Sequence, residues 1–187
     1  MNVTVLYEDQ LGSGGIPRDY GLHQLIVALV ADRLSRPYWE VADRIKAIPL
    51  NGSSKVLSSL KNDGLPGCVF ALLDEDQIRN EGRVALPHSA TISDVLTKLQ
   101  AVTEAGRPQF VLLRQNSESV IRAAGGCMPA VSPYVAGALK KRLNDRDIVL
   151  RKLARSPDPT VRVCVVAKVP SLAILQERIA CLLNSAN

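Results

Sequence analysis

The sequence predicts an α/β protein: an open, mostly parallel sheet with helices on both faces, followed by a helical C-terminal extension. Three observations point there. Short β-branched runs alternate with helical periods through about residue 115, in the order β-α-β-α-β-α-β that builds a parallel sheet. The run over residues 68–73 is continuously apolar, as a central strand covered on both faces requires. With 187 residues, 47% hydrophobic and 22% charged, the chain can bury a sizeable core, which excludes disordered and fibrous classes.

In chain order, residues 3–7 form a compact apolar strand that Glu8-Asp9 breaks. The Gly/Pro-rich loop LGSGGIPRD leads to a helix over residues 21–34, where Leu22, Leu25, Ile26, Leu29, Val30 and Leu34 recur at helical spacing. Residues 44–50 form a second strand, with Asn51-Gly52 as its turn. Ser53 or Ser54 caps a short helix through Leu60, which stops at Asn62-Asp63-Gly64. The central strand at 68–73 ends in Asp74-Glu75-Asp76. After a polar stretch, Thr91 or Ser93 caps a helix to about Thr103, and residues 109–113 form a fourth strand. Helices are expected over 133–143 and 147–154, then a further strand over 161–167 and a last helix over 171–183. The domain division is therefore an α/β core over 1–120, with residues 121–187 packing on the same domain.

Cys68, Cys127, Cys164 and Cys181 form no CxxC pair, and with only His23 and His88 a zinc site is not expected. The apolar surroundings of Cys68, Cys164 and Cys181 predict reduced core thiols in a cytoplasmic protein. The start MNVTVLYEDQ does not read as a signal peptide, and the longest apolar run, residues 25–31, is too short to span a membrane. GSGG at 12–15 lacks the Gly-Lys-Ser/Thr of a phosphate-binding loop. Trp39 and Tyr38 are expected to pack on a helix rather than stack on bases, since aromatics make up only 4% of the chain.

The chemistry is concentrated in acids. In open parallel sheets ligands bind beyond the carboxyl ends of the strands. Glu8 and Asp9 follow the first strand; Asp74, Glu75 and Asp76 follow the third. Crossover rules place these strands close together. Massed carboxylates repel one another unless a cation lies among them, and hard oxygen donors suit Mg²⁺ or Mn²⁺. On an extended strand end, Asp74 and Asp76 would point the same way and Glu75 away.

These residues resemble the TOPRIM domain shared by topoisomerases, bacterial primases, recombination-mediator proteins and the overcoming-lysogenisation-defect nucleases. The resemblance covers about residues 1–120. It rests on Glu8 ending the first strand, Asp74-Glu75-Asp76 ending the third, the turn Ile48-Pro49-Leu50-Asn51-Gly52-Ser53-Ser54-Lys55-Val56 before the second helix, and Asn116-Ser117-Glu118 after the fourth strand. It departs from the family at Asp9, where a Gly is usual. The resemblance implies a TOPRIM-like (Rossmannoid) sheet and metal-dependent cleavage of DNA or RNA. Glu8 would act as general base or metal ligand, and Asp74 and Asp76 would hold Mg²⁺. Asp9, Lys55 and Glu118 are accessory candidates. Small standalone members resemble components of prokaryotic antiviral defence systems that work beside an ATPase, so a separate ATPase partner is implied.

The net charge of +5 is unevenly placed. Between residues 140 and 168 stand nine basic residues (140, 141, 142, 146, 151, 152, 155, 162 and 168) against Asp145, Asp147 and Asp158, more than the whole surplus. Lys140, Lys141, Arg142, Arg151, Lys152 and Arg155 are therefore candidates for contacting a nucleic-acid backbone; the other reading is solvated helix faces. Two further function classes remain open. One is a receiver-like signalling module phosphorylated on Asp74, with Lys168 after a late strand; the other is a non-catalytic interaction subunit.

Overall fold

The computed structural model describes residues 1–8, 20–60, 65, 67–82, 84, 86, 87, 89–103, 109–113, 118–140 and 142–185. Asp9, the loop GSGG, Asn116, Ser117 and Lys141 lie outside the described residues. Four parallel strands form one open sheet: β1 (Val3–Glu8), β2 (Ile45–Leu50), β3 (Cys68–Asp74) and β4 (Gln109–Leu113), in the spatial order β2-β1-β3-β4. β1 is central, pairing Val3 with Ile45 of β2 on one side and with Cys68 of β3 on the other. The expected neighbouring of the first and third strands holds. Gly67 sets that register: at a φ of +76° it lies so close to the Asn2 carbonyl that a Cβ would collide with it.

Alternation along the strands divides the core in two. Val3, Val5 and Tyr7 of β1 and Phe70 and Leu72 of β3 face one side, with α1 (Gly21–Leu34) and the C-terminal helices. Leu6, Ala71 and Leu73 face the other, with α3 (Ser53–Ser59), α4 (Glu75–Arg79) and α5 (Ile92–Thr103). Both faces of the sheet are covered, as expected. The short α2 (Tyr38–Ala42) follows α1. Thr91 and Asp94 exchange reciprocal hydrogen bonds at the start of α5, the capping arrangement expected there.

Beyond β4 the chain is helical: α6 (Glu118–Cys127), a 3-10 turn (Pro129–Val131), α7 (Ser132–Leu139), α8 (Leu143–Ala154), α9 (Thr160–Lys168) and α10 (Pro170–Ser185). The strand expected over 161–167 is instead helix α9. Its Val-rich run satisfies strand propensity, but Arg162, Val165 and Val169 are buried at helical spacing. Asp158 accepts the Thr160 N–H at 2.9 Å, and Pro159 suits a first helical turn, so local chemistry starts a helix there. With Lys168 at the end of a helix, the late-strand lysine of a receiver-like module is lost.

These helices exist to cover α1, which is buried along Gly21–Ala31 with no solvent face. Asp147 of α8 caps α1 from outside, accepting the Gly21 N–H at 2.7 Å; a Cβ at residue 21 would strike the Asp147 carbonyl and Leu150. Arg162 is buried and forks onto Asp32 at 2.6 and 3.0 Å while donating to the carbonyls of Leu153, Ala154 and Ser156. From α10, Gln176 donates to the Leu29 carbonyl and Arg178 to that of Phe110.

The reduced core thiol expected at Cys164 is not found. Cys164 is bonded to Cys127, tying α9 to α6, because the helix turns it towards α6 rather than into a sheet. Cys68 is half-buried and Cys181 exposed; both are free, and neither is fully in the core. No helix among the described residues is long and apolar enough to cross a membrane. Replacing Arg162 by Met strands Asp32 and three carbonyls together, and should cost about 3 kcal/mol of folding free energy. Urea unfolding of Arg162→Met measures this, and a loss below the error of the method would mean the guanidinium cluster contributes little.

Candidate acidic site at the carboxyl end of the sheet

In the order β2-β1-β3-β4 the helices after β1 and β3 pack on opposite faces, so the crevice between these strand ends is the topological switch point of the sheet. Glu8 is the last residue of β1 and Asp74 the last of β3. The structure brings the two together: Glu8 Oε1 accepts the Asp74 N–H at 3.3 Å. Glu8 continues the side of Leu6, towards α3 and α4, and is half-buried there.

Burial raises the Glu8 carboxyl from an ordinary 4.5 to about 7. The Asp74 carboxylate pushes the same way, and Asp76 and Glu81 add to it; only the Asp74 N–H works in the other direction. Four acids thus share one electrostatic neighbourhood. Glu81, which no pattern in the sequence marks, arrives because the segment after α4 folds back against α3, where Ser54 donates to its carboxylate at 2.6 Å.

The route by which Asp76 joins differs from the extended-strand expectation. The chain turns into α4 at Glu75, so Asp76 is exposed in a first helical turn, where its carboxylate accepts the Gln77 N–H. Alternation along a strand therefore does not align Asp76 with Asp74. Glu75 does turn away, as expected, and holds Arg79 at 2.8 Å.

The accessory candidates separate. Lys55 is exposed on α3, next to Ser54. Glu118 starts α6 beyond β4 and pairs with Arg122 at 3.7 Å, so it is not shown with the Glu8 group. Tyr7, in the strand expected over residues 3–7, is fully buried in β1 and takes no part in the acidic site. His23 is buried, and its Nε2 donates to the Ile45 carbonyl at 3.1 Å.

The basic run has two uses. Arg151 pairs with Asp147, Arg155 donates to Gln24 at 3.1 Å, and Lys152 stands 5.6 Å from the Tyr134 ring centre. Lys140 and Arg142 are exposed at the α7–α8 junction. The expectation that Trp39 packs on a helix is not met: it is 69% exposed and Tyr38 is 42% exposed, because α2 buries only Val41.

The donor set at Glu8 is entirely carboxylate oxygen, the chemistry of a hard divalent cation. Among the described residues, no group of three or more His, Cys, Asp or Glu could hold a metal ion by itself. Comparison with protein-family models, curated proteins and solved structures finds no match to this chain.

A carboxyl raised in the fold stabilises it below the unfolded value, and that contribution disappears as pH rises through about 7. Glu8→Gln should therefore match the parent at pH ~4 and exceed its stability by about 2 kcal/mol at pH ~8, allowing for solvent screening. Denaturant unfolding at both pH values checks this; equal differences would show that Glu8 titrates normally.

Proposed function

We propose that this chain is a Mg²⁺- or Mn²⁺-dependent nuclease of TOPRIM type, hydrolysing phosphodiester bonds of DNA or RNA. The pairing of Glu8 with Asp74 at adjacent strand ends, beside the switch point, carries this reading. Mg²⁺ commonly takes one or two carboxylates and completes its shell with water and substrate phosphate, so an open Glu8/Asp74 pair fits it without a closed cage. Asp76 adds negative charge at the rim. A bound divalent ion supplies charge stabilisation to the attacking and leaving oxygens of an in-line displacement.

The residues of the chain then have distinct tasks. Glu8, half-buried at the end of β1 and held by the Asp74 N–H, is placed either to bind the cation or to take a proton from an attacking water. Asp74 orients Glu8 through its N–H and provides the second oxygen donor. Lys55 is exposed near the Ser54–Glu81 contact and can meet a substrate phosphate.

Lys140, Arg142 and Lys152 are exposed cations of the basic segment and are suited to the phosphate backbone. Such a substrate locates the work in the cytoplasm, where a Cys127–Cys164 bond would be transient. The sequence has no nucleotide-binding motif, so energy coupling requires the separate ATPase that the resemblance implies. A role in antiviral defence follows from the same resemblance.

Purified protein should cut plasmid DNA or single-stranded RNA with Mg²⁺ or Mn²⁺ and stop when EDTA removes the ion. Asp74→Ala and Glu8→Gln should each lower the rate on the order of 100-fold or more. Cleavage that survives both substitutions sinks the assignment. Exchanging Lys140, Arg142 and Lys152 for Gln should weaken binding and lower the slope of log affinity against log salt by roughly one for each phosphate no longer neutralised. An unchanged slope would place the nucleic acid elsewhere.

A further inference from the structure

A cleft of about 630 Å³ opens along the outer side of α1, between α2 and the turn that joins α8 to α9. Its size is that of a site for a small organic molecule. Ala28 and Ala31 of α1 and Ala154 of α8 form its floor; their small side chains leave the space that Leu elsewhere on α1 fills. Tyr38 also lines it, within the field of Arg155, and Arg36 and Arg155 bring positive charge to the lining.

The cations differ in how far they are committed. The Arg162 guanidinium, also in the lining, is consumed by Asp32 and three carbonyls. Arg36 pairs with Glu40 at 3.3 Å and Asn184 at 3.2 Å. Arg155 uses its Nε on Gln24, and its two terminal amino groups form the fork that takes a carboxylate or phosphate in bidentate fashion. Tyr38 lies within the field of Arg155, and burial raises its phenol above the usual range, so the ring stays neutral. Alanine side chains, an aromatic ring and a guanidinium fork in one lining suit a ligand that combines a flat ring with an anionic group.

We propose that this cleft is a second binding site, for a small aromatic anion of the nucleoside-monophosphate class. The phosphate meets Arg155 and Arg36, and the base lies between Tyr38 and the alanine floor. The site is separate from Glu8 and does not depend on the nuclease reading. Loss of cleavage in the acidic-site variants leaves it standing, and absence of nucleotide binding leaves metal-dependent cleavage standing.

Isothermal titration of the full chain with AMP, GMP, CMP and UMP tests it. At least one should bind with Kd on the order of 10 μM to 1 mM. Arg155→Gln should weaken that binding about tenfold or more by removing the charged fork. Ala42→Leu, which fills the cleft from the α2 side, should abolish it, with circular dichroism confirming that both variants fold. Three results overturn the proposal: no heat from any of the four nucleotides at millimolar concentration, equal affinity for inorganic phosphate, or binding unaltered in both variants. If the first of these comes with binding of a single-stranded oligonucleotide, the cleft is instead part of a face for the polymer.

Discussion

The burial of α1 on every side is the constraint on which the rest of the structure depends. From Gly21 to Ala31 every residue of this helix is buried, so it needs a sheet on one side and a second layer on the other, with a cleft left open along Gln24, Ala28 and Ala31. The sheet supplies Val3, Val5 and Tyr7; α8, α9 and α10 supply Leu150, Leu153, Val165, Leu172 and Leu175. Packing alone would let these helices slide along α1. Polar contacts fix their positions: Asp147 on the first turn, Arg155 on Gln24, Gln176 on the Leu29 carbonyl and Arg162 on Asp32 near the last turn. Residues beyond 120 are thus the other half of the core, and the single cluster that joins them to β1 is the physical sense in which the chain is one domain.

That arrangement also determines where chemistry can occur. With α1 and the C-terminal layer on one face and α3, α4 and α5 on the other, both faces of the sheet are closed. The edge beyond the strand ends remains, and there Glu8 lies within the fields of Asp74, Asp76 and Glu81. Holding Glu8 half-buried among three other acids works against its ionisation, which is what raises its carboxyl to about 7. Acids gathered only for solubility would spread into water and titrate normally. A half-buried carboxyl raised by burial and a neighbouring acid at a switch point is a candidate functional site.

The sheet was legible in the sequence because each strand is a short apolar run bounded by turn chemistry, and α1 because its apolar spacing is regular. The adjacency of Glu8 and Asp74 followed from crossover rules alone. What escaped has identifiable physical reasons. The run VRVCVVA has the composition of a strand, and its helical state comes from tertiary contacts, Arg162 onto Asp32 and Val165 into the core, that no local window contains. The local signal that existed was Asp158-Pro159-Thr160, a helix start placed just before the run. The Cys127–Cys164 pair followed the same error, since a strand and a helix turn Cys164 in different directions. Strand alternation misplaces Asp76 because the strand ends one residue too early for it. Glu81 had no pattern to announce it.

The placement of the positive charge changes meaning once α1 is seen to be buried. Read along the chain, residues 140–168 look like one basic surface. In the fold, Arg151, Arg155 and Arg162 face inward or sideways, towards Asp147, Gln24 and Asp32, and they attach the C-terminal helices to α1. An arginine is well suited to this, because its long apolar stem packs while its fork satisfies several acceptors at once. Among the described residues, the surplus available to an outside anion is therefore smaller than the count suggests: Lys140, Arg142 and Lys152 on the α7–α8 surface and Lys168 at the end of α9, with Arg155 holding Gln24 through its Nε. A substitution at Arg151 or Arg162 changes stability first, whatever it does to binding. The charges that carry a binding argument are those whose removal leaves no buried partner behind.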